Sequence, residues 1–382
     1  MDSFFVAVER LKNPALNGLP VVVGGDPKVG RTIVLSASYE ARKFGIYSAM
    51  PMRLAVYSCS DLIVVSPDFA LYKYYQKKIQ KVLQTFSPII EMTSIDEGYI
   101  DLSGTARIWG SPMEAGERLR WAIKQATQLD CTIGIASTKI IAKIASQDAK
   151  PSGMLWIPLG SERIFLAPLS IERIPGVGNK MVRLLKNLGL ERIHQIASAG
   201  ELLMTATLGP KGGWLWRFSI GGEKQTFFKV RQRKSFSKEI TFESDTTDLT
   251  YLLAVLHMLI EQVCYKLRKE KKMAKTIEIK IRYEDFRTIN RSVTLIQFEN
   301  RDFTFFIKGK KLLLSAIDRR LGIRLIGVKL SQFIDAVYQT KLFKEQKQLK
   351  EYTRAVAIDC IRKRFGLNAV FIAESLYLTS KE

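Results

Sequence analysis

The sequence predicts an α+β protein built from several domains. Three observations carry this. Residues 1–160 alternate short β-branched runs with amphipathic helical stretches. Residues 165–222 read as short helices punctuated by glycine. From residue 229 on, helices mix with long strands. With 382 residues, 47% of them hydrophobic and 10% aromatic, the chain can build real cores. That length suits roughly two to four domains.

In the first region "PVVVGG" (20–25) and "RTIVLSAS" (31–38) read as strands separated by a Gly/Pro/Asp turn. "YEARKFG" (39–45) reads as a short helix closed by Gly45. Residues 69–88 place Leu71, Tyr75, Ile79, Val82 and Phe86 on one helical face, with Lys73, Lys77, Lys78 and Lys81 mostly outside it. The tyrosines there could stack on bases, but the pattern fits core packing. "PIIEMTS" and "YIDLSG" flank an acidic pair as a β-hairpin. "TIGIAS" is a further strand, and "TKIIAKIASQDAK" a helix ended by Pro151.

After the helical region, residues 229–244 read as a basic linker, "VRQRKSFSK", leading into a strand. Then come helix "DLTYLLAVLHMLIEQVCYKLRKE", strands "KTIEIKIRY" and "RSVTLIQF", helix "FFIKGKKLLLSAIDRR" and strand "IRLIGVKLSQF". Residues 350–378 suggest a small helical appendage.

Charge narrows the partners. Lysine and arginine number 59 against 37 acids, a net +22. Residues 1–160 hold 18 basic and 14 acidic side chains, whereas residues 221–330 hold 24 and 13. A patchy excess of this kind favours a polyanion, nucleic acid above all. An anionic membrane surface is the rival, but no basic amphipathic anchor stands out. No window holds eighteen apolar residues, so no membrane span is expected. No basic stretch precedes an apolar one at the N-terminus, so no secretory signal is expected either. Cys59, Cys131, Cys264 and Cys360 are scattered, which argues against a metal cluster or a disulfide framework and suits a reducing cytoplasm.

The chemistry centres on "SIDEGYIDLSG", where Asp96 and Glu97 stand side by side among strand-forming residues. A regular strand sends neighbouring side chains to opposite faces. Both acids can meet one site only at a turn, and Ser94 and Gly98 supply that context. Two carboxylates this close repel unless a cation intervenes. Hard Mg²⁺ takes one or two carboxylates and completes its shell with phosphates. The plain alternative is an exposed turn with two solvated acids.

Further motifs share the chain with this pair: "MDSFFVAVE", "YEARKFGIYSAMP", "GIASTKIIAKIASQDAKPSG" and "IPGVGNK". Together, in this order, they resemble the Y-family DNA polymerases, the translesion enzymes, and most closely the DinB-type DNA polymerase IV branch. The resemblance spans about residues 1–340, and five ordered motifs are far more specific than any one of them. It implies a right-hand architecture. Residues 1–164 would be palm and fingers, with fingers about 10–66. Residues 165–228 would be a helix-hairpin-helix thumb, 229–337 a little finger of mixed helix and sheet, and 338–382 a tail.

It also implies residue roles and partners. Asp96 and Glu97 would be catalytic and would hold two Mg²⁺ ions, with the backbone carbonyl of Met1 at the second. Phe5 would be the steric gate that excludes a ribose 2′-hydroxyl, though its plain reading is a core aromatic beside Phe4. Tyr39 and Arg42, three apart on one helix face, would grip the dNTP triphosphate, with Lys150 opposite and Ser36 as a phosphate-contacting hydroxyl. Gly176, Gly178 and Lys180 would hold primer–template DNA through helix N-terminal amides. Arg231, Arg233, Lys234, Lys238, Arg287 and Arg291 would meet DNA phosphates, the plain alternative being a solvated basic face. "QTKLF" is similar to the bacterial sliding-clamp peptide, with Gln339 at a pocket rim and Leu342 and Phe343 as apolar anchors.

The enzyme would be a cytoplasmic bacterial monomer of low fidelity and low processivity, and would not engage a membrane. A non-catalytic, clamp-binding accessory protein on the same fold is the alternative, and a helix-hairpin-helix nuclease is a third class. One departure matters. The family motif normally reads Asp-Met-Asp-Ser-Phe-Phe at the end of an opening strand, and this sequence begins at that Met. The first of three metal-binding acids is thus not in the sequence. The expectation is a start set too late rather than a crippled enzyme, since the other catalytic positions are present.

Overall fold

The computed structural model describes residues 1–222, 227, 233–317, 321–336, 346–366 and 369–370. The chain divides into two units, one of Met1–Pro27 with Thr32–Val230 and the other of Lys28–Arg31 with Arg231–Glu382.

The first unit opens with α1 (Phe4–Lys12), then β1 (Val21–Gly24), β2 (Val34–Ala37), α2 (Tyr39–Arg42), α3 (Met52–Ser58) and β3 (Ile63–Val65). These strands form a sheet in the order β2-β1-β3, with β1 antiparallel to β2 and parallel to β3. Strand alternation divides β1 between two cores. Val21 and Val23 pack with Phe4, Val6 and Val8 of α1, while Val22 packs with Val34, Ala37, Ala41 and Met52. The strand expected over 31–38 is shorter than its apolar pattern. Residues 32 and 33 bond instead to the chain at 50–52, through an Ile33–Pro51 bridge and a Met52 N–H donated to the Thr32 carbonyl at 2.9 Å.

Next come α4 (Phe69–Phe86), β4 (Ile90–Met92), β5 (Gly98–Ile100), α5 (Ala106–Trp109), α6 (Pro112–Thr127), β6 (Ile133–Ile135), α7 (Lys139–Asp148) and β7 (Met154–Trp156). The β4–β5 pair is an antiparallel hairpin, and β6–β7 is a separate parallel pair. Helix α4 buries Tyr72, Ile79, Leu83 and Phe86, with Leu71, Tyr75 and Val82 only half-buried, so its buried stripe is rotated from the expected one. The cause is a second neighbour. Tyr72 is drawn under the aromatic start of α1, and its hydroxyl donates to the buried Glu9 carboxylate at 2.6 Å. Tyr72 is therefore a core tyrosine, while Tyr74 is exposed with the Lys78 ammonium over its ring.

The unit ends in α8 (Glu162–Leu166), α9 (Asn179–Asn187), α10 (Ile193–Ala199), α11 (Glu201–Leu208) and α12 (Pro210–Ser219). No strand interrupts them, as the glycine-punctuated pattern predicts. Their core recruits Ile140, Ile141 and Ile144 of α7, so that helix belongs as much to the helical region as to the strands before it.

The second unit runs β8 (Ser235–Thr246), α13 (Leu249–Lys269), β9 (Lys272–Tyr283), β10 (Thr288–Glu299), α14 (Asp302–Ala316), β11 (Ile323–Asp335) and α15 (Gln346–Phe365). The sheet order is β10-β9-β11-β8, all antiparallel. One face is covered. Ala274, Ile277, Ile279, Ile281 and Tyr283 of β9 pack against α13 and α14. The alternate residues Thr276, Glu278, Lys280 and Arg282 lie on the other face. Among the described residues no helix is long and apolar enough to cross a membrane.

Helix α15 docks on α13 by charge. Arg268 donates to both oxygens of Asp359, at 2.6 and 2.9 Å, and to Asp302 at 2.6 Å. Arg362 pairs with Glu261 at 3.0 Å, both side chains 4% exposed. Burial raises the Glu261 pKa even though the Arg362 charge opposes it. Breaking a buried pair from one side leaves an uncompensated charge. Arg362→Ala should thus cost about 3–5 kcal/mol of stability, read from urea unfolding at neutral pH. A carboxylate with a raised folded-state pKa favours the native state most at low pH. The loss should therefore shrink on acidification, as Glu261 takes up a proton. A loss that grew at acidic pH would contradict this account.

Candidate active site

The two acids lie in the turn that joins β4 to β5, outside either strand. Ser94 builds this turn. Its hydroxyl accepts from the Asp96 and Glu97 N–H groups at 3.2 and 3.0 Å, and donates to Asp96 Oδ1 at 2.6 Å. The N–H groups of Thr93 and Ser94 donate to the Glu97 carbonyl at 3.0 and 3.2 Å. The turn thereby releases both side chains from strand alternation, as the sequence requires.

Cations already approach the hairpin. Lys143 Nζ lies 2.6 Å from Glu97 Oε2, and the buried Lys139 Nζ lies 2.8 Å from Glu91 Oε2. The two lysines are four apart on α7 and so share a face. Helix α7 can sit this close because β6 carries Gly134, where a Cβ would overlap the Ala142 carbonyl. The Tyr99 phenol is pushed up to about 12, first by burial and then by the Glu97 and Glu91 charges. The Met1 ammonium donates to the Asp96 carbonyl at 2.9 Å, and the Asp2 N–H to the Asp130 carbonyl at 3.3 Å. Sequence reasoning missed both lysines. The i, i+4 spacing on α7 was the available signal.

Phe5 is half-buried at the start of α1. Its ring stacks on Tyr72, with centroids 4.3 Å apart and planes at 15°, and meets Phe69 edge-on at 6.1 Å. Phe4, beside it, is the core aromatic.

Tyr39 and Arg42 are together, with the guanidinium 5.0 Å from the ring centroid and its Nε donating to the Ala37 carbonyl at 3.2 Å. Burial, and then the nearby Asp2 charge, raise the Tyr39 pKa. Lys150 is exposed after the end of α7. Ser36 is buried in β2, paired with Val23.

Gly176, Gly178 and Lys180 cluster at the start of α9, all exposed. Gly176 has φ +87°, a conformation that costs little only for glycine. Gly178 caps α9 without a side-chain acceptor, which leaves its first amides open to another partner.

Among the described residues, the basic candidates of the second unit do not form one patch. Arg233 faces Glu270 at 3.4 Å and the Phe236 ring at 5.1 Å, beside the exposed Lys234. Lys238 and Arg291 fall in one cross-strand row, Lys238–Val328–Ile279–Arg291, at opposite sheet edges and on the helix-covered side. Arg287 is exposed just before β10. The open face instead carries Lys280 on Glu239, Lys329 on Glu278, and Arg282 on Thr288. Arg231, Gln339, Leu342 and Phe343 lie outside the described residues. Among the described residues no group of three or more His, Cys, Asp and Glu side chains forms a metal-binding cluster.

A hairpin turn offering two acids, backed by helices and followed by a helical region and a separate sheet unit, is the plan of a right-hand nucleic-acid polymerase. Two family models match the chain. They are described as the impB/mucB/samB family, over residues 1–147, and its C-terminal domain, over residues 233–342. The chain is 36% identical over 371 residues to a DNA polymerase IV of Dehalococcoides mccartyi, covering 97% of this chain and 94% of that protein. It is 36% identical over 379 residues to a DNA polymerase IV of Caulobacter vibrioides, covering 98% and 92%. Among solved structures, it superposes on a Y-family polymerase chimera of Dbh and Dpo4 with a TM-score of 0.78 at 26% identity, covering 87% of this chain and 97% of that one. An insertion ternary complex of Dbh DNA polymerase gives 0.60 at the same identity and coverage. The chain therefore belongs to the Y-family DNA polymerases, the translesion class, in the DinB-type DNA polymerase IV branch. Its activity is DNA-directed DNA synthesis, and the non-catalytic accessory reading is not favoured.

Proposed function

We propose that this activity runs through Asp96 and Glu97 as the carboxylates that hold divalent metal at the primer terminus. The observation that carries the assignment is the Ser94-built turn, which frees two adjacent acids, one of them already drawing an ammonium group to 2.6 Å. The donor set suits the group. Carboxylate oxygens, with the Met1 carbonyl, are the hard ligands Mg²⁺ prefers, and the family pattern calls for two ions. Bound metal would supply charge neutralisation at the phosphoryl oxygens and a lowered pKa for the primer hydroxyl.

The protein's own side chains do the rest. Phe5, fixed between Tyr72 and Phe69, bars a 2′-hydroxyl and so selects dNTPs. Arg42, Lys150 and Tyr39 bind the triphosphate and offset its charge, with Ser36 as a further phosphate-contacting hydroxyl. Gly176, Gly178 and Lys180 grip DNA phosphates without reading bases. Arg231, Arg233, Lys234, Lys238, Arg287 and Arg291 add backbone contacts from the second unit. Palm and fingers occupy 1–164, thumb 165–228, little finger 229–337 and tail 338–382. The enzyme works as a monomer in the bacterial cytoplasm.

In primer extension by the full-length protein, Asp96→Asn and Glu97→Gln should each lower single-nucleotide incorporation by about a thousandfold, several kcal/mol of lost stabilisation. Primer–template affinity should change little. Phe5→Val should admit ribonucleotides. Extension by either acid variant at the parental rate would discard the assignment.

The backbone-binding role predicts that log affinity for primer–template falls linearly with log salt, with a slope of about 0.9 per phosphate neutralised. Replacing Lys238 and Arg291 with Gln should flatten that slope. A response already flat in the parent would contradict the role.

The tail motif Gln339, Leu342 and Phe343 would dock on a sliding clamp. Leu342→Ala with Phe343→Ala should abolish stimulation by the clamp and spare distributive synthesis. Unchanged stimulation would remove the motif from consideration.

A further inference from the structure

Asp2 has no part in the roles above, yet its carboxylate is buried at 6% exposure. Both oxygens accept from the Thr132 hydroxyl, at 2.9 and 2.8 Å. Oδ2 also accepts from the Ser152 N–H at 3.0 Å, and the Tyr39 hydroxyl lies 3.5 Å from Oδ1. Every neighbour in this set is a donor, and both carboxylate oxygens accept. One side chain thus ties together the first residue of α2, the lead-in to β6 and the turn that follows α7.

A second observation comes from that turn. Ser152 has φ +50°, the left-handed region that residues other than glycine seldom occupy. Such conformations persist where the surroundings over-determine them. Here Asp2 holds the Ser152 N–H, and Arg120 donates to its carbonyl at 2.5 Å. The next residue is Gly153, where a Cβ would overlap the Ala149 carbonyl. The turn is held from both sides in one shape, and Lys150 lies within it.

We propose that Asp2 is a positioning residue that sets the nucleotide grip before the nucleotide arrives, by fixing Tyr39 and the Lys150 turn to one buried carboxylate. The proposal rests on the reading that Tyr39 and Lys150 contact the triphosphate. Without Asp2 the two would sample separate positions, and binding would have to order them.

The test is single-nucleotide insertion with Mg²⁺ and a correct dNTP by the full-length protein, with primer–template Kd and Tm measured alongside. Asp2→Ala should raise KM for dNTP about tenfold, with kcat changed less and DNA Kd within about twofold. Asp2→Asn keeps an acceptor for the Ser152 N–H and should recover part of the loss. Combined with Lys150→Ala, Asp2→Ala should add less than its single effect. If Asp2→Ala fails to fold, Thr132→Val, which removes one donor, should still give a smaller KM rise. Equal losses in kcat and DNA affinity with KM unchanged would overturn the proposal, as would an unchanged KM in both Asp2→Ala and Thr132→Val. Tyr39→Phe and Lys150→Ala separate the two levels. If neither raises KM, the grip itself is misassigned. If they raise it and Asp2→Ala does not, only the role of Asp2 falls.

Discussion

Two adjacent carboxylates in one hairpin turn, proposed to face one metal site, impose the tightest constraint in this molecule. A strand would send Asp96 and Glu97 to opposite faces, and an unbalanced pair would repel. Ser94 answers the first problem by spending its hydroxyl on three bonds within the turn. Lys143 answers the second for Glu97. That contact depends on α7 lying against β6, which Gly134 permits. Helix α7 in turn buries Ile140, Ile141 and Ile144 in the helical core. The acid pair is therefore coupled to the packing of the helical region through a single helix.

The sugar gate proposed for Phe5 needs rigidity more than charge. A gating ring works only if it cannot yield, and Phe5 lies on Tyr72, which has no exposed surface. Tyr72 is pinned at its far end by Glu9, and its hydroxyl pKa is raised by burial and by that bond, so it remains a donor. The arrangement costs α4 its simplest amphipathic register. A single apolar stripe would bury Leu71 and Tyr75, but here the deepest position goes to the tyrosine beneath Phe5.

Much of this was legible because it is local. Period-two runs marked β9 to β11, the 3.6 period marked α4, α7 and α13, and the acid pair between β-branched runs marked the hairpin, whereas β8 takes up most of the stretch read as a basic linker. Helix α6 was equally legible. Ser111 and Glu114 form a capping box before an amphipathic run, a signal present in the sequence and passed over. What periodicity cannot supply is the partner of a polar side chain. Glu97 meets a lysine 46 residues away, Asp2 bonds residues 130 and 150 positions on, and Arg268 reaches Asp359 across 91. Nothing in the sequence around Asp2 points to those partners. Only the folded chain shows three donors converging on it.

The distribution of charge follows the same separation of tasks. The first 160 residues are nearly balanced, with 18 basic and 14 acidic side chains, whereas residues 221–330 carry 24 and 13. In the second unit the open sheet face is largely self-neutralised, because Lys280 and Lys329 lie against Glu239 and Glu278. Lys234, Lys238, Arg287 and Arg291, at or beside the edge strands, are exposed. Exposed charges of this kind attract a polyanion at long range and without regard to sequence, while the open face is joined across strands by the Thr276–Thr294 hydroxyl pair at 3.0 Å.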